Sequence, residues 1–101
     1  MKKETIEIDE DAIREVFGAN LRIARSRRGF SQTDLAERAG VQRLAVSTTE
    51  RGEHNITFKV LVRLCLAAGY HPCELLNPNF LQVSSRGPTY SYKEPGEDSA
   101  S

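Results

Sequence analysis

The chain has 101 residues, 39% of them hydrophobic, and its 14 Lys+Arg balance 14 Asp+Glu. That length holds one small domain and not two, and no apolar run approaches the roughly 18 residues that a bilayer span needs. Glu4, Glu7, Asp9, Glu10 and Asp11 stand where a signal peptide would place its apolar stretch, so a cytoplasmic protein without membrane contact is expected.

Taken in chain order, Thr5-Ile6-Glu7-Ile8 alternates apolar and polar residues in the manner of a strand, within an N-terminal arm of residues 1–9. A first helix is predicted over 10–28, where Ile13, Val16, Phe17, Leu21 and Ala24 recur every three or four residues and Gly29 stops the pattern. Ser31-Gln32-Thr33-Asp34 reads as a capping box opening a second, short helix. Its buried face is Leu35, Ala36 and Ala39, and Gly40 ends it. A third helix follows over 42–51, with Ala45, Val46 and Thr49 inward and Gly52 beyond its end. Thr57 caps a fourth helix, 58–68, whose broad apolar face (Phe58, Leu61, Val62, Leu64, Cys65, Leu66) predicts the most buried element. His71-Pro72 opens a short fifth helix, since proline suits the first helical turn, and Leu75 and Leu76 close the core. Phe80-Leu81-Gln82-Val83 and Thr89-Tyr90-Ser91-Tyr92 are strand-like within an extension, 77–101, that ends rich in Pro, Gly, Glu, Asp and Ser. The domain proper is therefore set at 10–76.

Charge is unevenly spread. Residues 1–13 carry a net −3, whereas 14–51 hold eight arginines (14, 22, 25, 27, 28, 38, 43, 51) against four acids. Arginine is the cation suited to bidentate contact with phosphate and guanine. Chemistry of other kinds is poorly provided for. Cys65 and Cys73 lack the paired spacing of a zinc site, and His54 and His71 read as a loop residue and a helix cap. There is no nucleophile–base pair, phosphate loop or metal-ligand set, so neither an enzyme nor a cofactor or metal is expected.

The second and third helices, joined by the tight turn Gly40-Val41, form a helix-turn-helix candidate. Leu21, Arg22, Arg25, Gly29-Phe30-Ser31-Gln32, Leu35-Ala36-Glu37, Ala39-Gly40-Val41, Val46-Ser47, Glu50-Arg51-Gly52, Leu61 and Leu75-Leu76 fall in the order and spacing of one family. Residues 17–76 resemble the DNA-binding domain of Cro and phage-repressor-type (XRE-like) regulators. The resemblance implies an all-α, five-helix, repressor-like domain with a helix-turn-helix and short strand-like arms, bacterial or phage-encoded. It implies a transcriptional regulator, a dimeric autorepressor, whose partners are a second copy and a pseudo-palindromic double-stranded DNA operator.

A major groove about 12 Å wide admits one helix, with the second helix of the motif presenting side chains to base edges. On that basis Gln42, Arg43, Leu44, Ser47 and Thr48 are the expected base-contacting residues. Arg43 suits guanine, and Leu44, with no hydrogen bond to give, suits a thymine methyl. Arg22, Arg25, Gln32, Arg51 and Asn55 are expected at the DNA backbone. Arg25 and Glu50 match a pair that in the family bridges the first helix to the end of the recognition helix. Pro72, Leu75, Leu76 and Phe80 are expected at the dimer interface.

Three positions depart from the family pattern. Gln42 replaces the usual Ser or Thr cap. Thr48 replaces a frequent basic or amide residue. Thr49 replaces a large aliphatic, and its hydroxyl is free to bond back to the carbonyl four residues earlier. An alternative reading makes the chain an antitoxin-type module that holds a toxin or other protein partner with residues 77–101, Tyr90 and Tyr92 as anchors. Control proteins of restriction–modification systems are also small proteins of this kind, and Asn55-Ile56-Thr57 is compatible with them. A third reading, a module that has lost its groove contacts, rests on the zero net charge and Thr48 and is opposed by Arg43. No ligand-sensing domain is evident, so control by a small molecule within the chain is not expected.

Overall fold

The computed structural model describes residues 9–53 and 55–83. His54, the strand-like segments 5–8 and 89–92 and the rest of the extension lie outside them. Within the described residues the architecture is all-helical. It comprises α1 (Glu10–Arg27), α2 (Gln32–Ala39), α3 (Arg43–Glu50), α4 (Phe58–Ala68), α5 (Pro72–Leu75) and α6 (Phe80–Val83). None of these helices is long and apolar enough to cross a membrane.

Local chemistry sets most boundaries. Asp9 Oδ1 accepts from the Ala12 N–H at 3.0 Å to start α1, with acids in its first turn and arginines in its last, as the helix dipole favours. The Ser31 hydroxyl accepts from the Asp34 N–H at 3.0 Å while Asp34 Oδ2 accepts from the Ser31 N–H at 2.9 Å, completing the expected capping box. That N–H, and next the Ser31 hydroxyl, hold the Asp34 carboxyl below its ordinary value of 3.8. The α2–α3 turn depends on Gly40, whose φ of 71° only glycine adopts readily. There the Val41 N–H reaches back to the Ala36 carbonyl at 3.0 Å. His71 caps α5 by accepting the Cys73 N–H on Nδ1 at 3.1 Å.

α1 packs against α3, α4 and α5, and α2 against α3 and α4. Phe17, Leu21, Ala24, Leu35, Ala36, Ala39, Val46, Leu64, Cys65 and Ala68 meet in the centre. α1 approaches α3 so closely that a Cβ on Gly18 would lie 2.3 Å from the Thr49 carbonyl oxygen. Asn20, buried on α1, donates its amide hydrogens to the Leu75 and Asn77 carbonyls, each at 2.9 Å. These two contacts satisfy the end of α5, which a single helical turn could not do alone.

Four expectations are corrected. Phe80-Leu81-Gln82-Val83 is a helical turn, not a strand, so the described fold has six helices rather than five. The packed unit also runs past residue 76, because Phe80 is fully buried. It stands edge-on to Tyr70, ring centroids 5.2 Å apart, with the Arg27 guanidinium 5.1 Å from its own centroid. Phe58, placed by periodicity in the core, is 80% exposed at the start of α4, whose buried side chains are Leu64, Cys65, Ala67 and Ala68. The back-bonding hydroxyl belongs to Thr48, which donates to the Leu44 carbonyl at 2.8 Å, while the buried Thr49 hydroxyl has no partner.

Two predictions arise here. Thr49→Val replaces an orphaned hydroxyl with a methyl of the same shape and is expected to stabilise the fold by about 1 kcal/mol. Differential scanning calorimetry should show the midpoint rising by roughly 4–8 °C. The thiols should also separate. Burial pushes Cys65 up to about 12, and Cys73 is exposed. Titration with a chromogenic disulfide at neutral pH should count one thiol in the native protein and two in denaturant.

Candidate nucleic-acid interface

The site is built on α3 and on what holds α3 in place. Its N-cap, Gln42, provides no side-chain hydrogen bond, as expected from its departure from Ser or Thr. The first-turn N–H groups of α3 are therefore left without a side-chain cap at the end that would meet DNA. Val46 and Thr49 face the core and Ala45 is half-buried. Gln42, Arg43 and Leu44 project outward, Leu44 with 64% of its surface exposed.

The far end of α3 is anchored through Glu50, whose side chain is 4% exposed. Arg25 Nε donates to Glu50 Oε2 at 2.6 Å and Nη2 to Oε1 at 3.0 Å. Arg25 Nη1 donates to the Phe30 carbonyl at 2.8 Å, and Gln32 Nε2 donates to Glu50 Oε1 at 3.1 Å. The Glu50 hydrogen bond raises the pKa of Arg25 above its ordinary value against the opposing effect of burial. One carboxylate thus ties α3 to α1 and to the first residue of α2, and Arg25 extends the network to the loop before α2. Such a buried pair gives orientation more than net stability.

Of the expected base-contacting residues, the structure leaves Gln42, Arg43 and Leu44 exposed and Thr48 half-exposed on one side of α3. Ser47 is not among them. It is 8% exposed, and its hydroxyl accepts from Arg51 Nη1 at 2.6 Å, a contact that the i, i+4 spacing could have revealed.

Of the expected backbone contacts, Arg22, Arg51 and Asn55 are exposed. Arg51 also pairs with Glu53 at 3.2 Å. Gln32 has one amide hydrogen committed to Glu50 and a second available to a phosphate. Arg25 is turned inward, three of its five donors being used within the protein. Arg28 and Arg38 stack over the Phe30 ring at 4.9 and 4.4 Å.

At the expected dimer surface, Leu75 and Phe80 are fully buried within the single chain, which leaves neither side chain to offer a second copy. Leu76 is exposed and Pro72 half-buried. Three residues escaped notice in the sequence: Gly18, Asn20 and Tyr70. Their roles are long-range contacts that no local pattern marks. No group of three His, Cys, Asp or Glu side chains able to hold a metal lies among the described residues.

Residues 16–76 match the family model described as a helix-turn-helix domain. A Neisseria meningitidis protein named a hypothetical transcription factor is 36% identical over 70 residues, 69% of this chain and 66% of that protein. The control protein C.SmaI of Serratia marcescens is 36% identical over 55 residues, 54% of this chain and 66% of that protein. The chain thus matches just under two thirds of the length of each. The crystal structure of the restriction-modification controller protein C.AhdI from Aeromonas hydrophila superposes with a TM-score of 0.61 at 36% identity, covering 63% of this chain and 97% of that one. With the match running from the middle of α1 through α5, and with α3 exposed on one side and locked on the other, the chain belongs to the helix-turn-helix family of DNA-binding transcription regulators.

Proposed function

We propose that this chain is a sequence-specific cytoplasmic repressor that acts on its own promoter, as a homodimer on a pseudo-palindromic operator. The observation that carries this reading is the two-sidedness of α3. One side holds Gln42, Arg43, Leu44 and Thr48 open to solvent, and the other is pinned through Glu50 to Arg25 and Gln32. A rigidly held helix with an exposed arginine in its first turn is suited to reading guanine, each bidentate contact being worth about 1–3 kcal/mol. Arg22, Arg51, Asn55 and the second amide hydrogen of Gln32 are the proposed phosphate contacts. Residues 1–9 are the proposed arm, the part of 77–101 beyond α6 is the proposed extension, and Leu76 with Pro72 is the proposed contact between copies. Two of the similar proteins are named as control proteins, one of them of a restriction–modification system. This favours such genes as the regulated set.

Fluorescence anisotropy on the chain's own upstream DNA tests the reading. Arg43→Ala is expected to weaken binding to that duplex by about 10- to 100-fold and to leave binding to a scrambled duplex nearly unchanged. Equal, weak binding to both duplexes by the unaltered protein would overturn it. A pull-down with residues 77–101 would then test the protein-partner alternative.

A further inference from the structure

The base-reading side of α3 is poor in hydrogen-bonding groups. Ser47 is buried beneath Arg51, which donates to its hydroxyl at 2.6 Å. Thr48 commits its single proton to the Leu44 carbonyl at 2.8 Å, with the Ala45 carbonyl 3.4 Å away. With that proton committed, Thr48 has no hydrogen to donate to a base, and its methyl is the apolar group it can offer. Leu44, 64% exposed, is four residues earlier and so lies on the same face, one turn towards the N-terminus. Beyond the Gln42–Arg43 end, the surface that α3 offers a groove is a leucine side chain and a threonine methyl in line.

In the major groove the apolar feature that distinguishes one base from another is the C5 methyl of thymine. Resting on the assignment of α3 as the recognition helix, we propose that Leu44 and Thr48 read pyrimidine C5 methyl groups, next to a guanine read by Arg43. Their specificity is for the methyl and not for the hydrogen-bonding edge. A 5-methylcytosine carries the same methyl with the opposite exocyclic group, N4–H in place of O4. It therefore substitutes for thymine at these steps where unmodified cytosine does not. Cytosine methylation inside an operator could thereby create or strengthen a site.

The test begins with selection of binding sites by the full chain from a random duplex library, read by anisotropy. Thymines of the selected site are then replaced singly by uracil or, with guanine in place of the paired adenine, by cytosine and 5-methylcytosine. Burying one methyl-sized group is worth about a fourfold change in affinity. Uracil at one or two steps per half-site is expected to weaken binding by about that factor, cytosine by at least as much, and 5-methylcytosine by clearly less than cytosine. Leu44→Ala should abolish the thymine–uracil difference at one step. Thr48→Ser, which keeps the hydroxyl and loses the methyl, should abolish it at the next, whereas Thr48→Val should preserve it. Circular dichroism confirms that each variant is folded. A site that binds uracil and thymine duplexes equally overturns the proposal and leaves the DNA-binding function standing, as does a Thr48→Val that fails where Thr48→Ser succeeds. A library that yields no enriched site overturns both.

Discussion

Gly18→Ala is expected to lower stability by about 2–3 kcal/mol and the thermal midpoint by roughly 10–20 °C. The added Cβ would lie 2.3 Å from the Thr49 carbonyl oxygen and 2.8 Å from that of Glu50. Both obstacles are backbone atoms, so no side-chain rotation relieves the contact, and α1 and α3 must separate. The substitution ought otherwise to help, since alanine is favoured over glycine inside a helix by about 1 kcal/mol. The sign of the effect is therefore diagnostic. The neighbouring exposed Ala19 supplies the control: Ala19→Gly should cost only the propensity difference. Thermal unfolding followed by circular dichroism reads both. A midpoint for Gly18→Ala that is unchanged or raised would mean that the two helices do not need their close approach.

The other large effect is expected at Glu50. Glu50→Ala leaves Arg25, whose side chain is 14% exposed, with the Phe30 carbonyl as its one partner among the contacts described above. Stranding a buried charge costs about 3–5 kcal/mol, a large part of the total stability of a small domain. Arg25→Met/Glu50→Leu, which removes both charges at similar volume, should recover most of that loss. It should not restore operator affinity, because Gln32 loses the acceptor that holds the start of α2 to the end of α3. Urea unfolding and anisotropy on the same three proteins separate the two consequences. A double variant that is stable and binds DNA like the parent would show that the pair does not orient the recognition helix.

What could be read from the amino acids alone follows the range of the forces involved. The capping box at Ser31 and Asp34, the glycine turn at Gly40 and the uncapped Gln42 are decided within four or five residues, and each is found where expected. The Arg25–Glu50 pair spans 25 residues and was reachable only through resemblance. Periodicity identified the apolar stripe of α4 but not how far its neighbours extend. It therefore buried Phe58, which lies at the uncovered start of the helix. The exchange of roles between Thr48 and Thr49 turns on side-chain rotamers. Either hydroxyl could reach a carbonyl four residues back, and the buried one does not. Alternation over four residues suggested a strand at Phe80, which instead starts a helical turn and is buried against Tyr70 and Arg27, contacts too distant in sequence for a local pattern to mark.

The Asn20 amide sets a condition on which part of the chain can stand alone. Its two acceptors are the carbonyls of Leu75 and Asn77, more than fifty residues downstream, and a buried amide without partners is costly. A segment that ends at α3 contains the complete helix-turn-helix and yet lacks both of these acceptors and the α5 that covers this part of α1. The helix-turn-helix is therefore not a separable piece of the molecule, because the helix that supports it is completed only by residues 75 and 77.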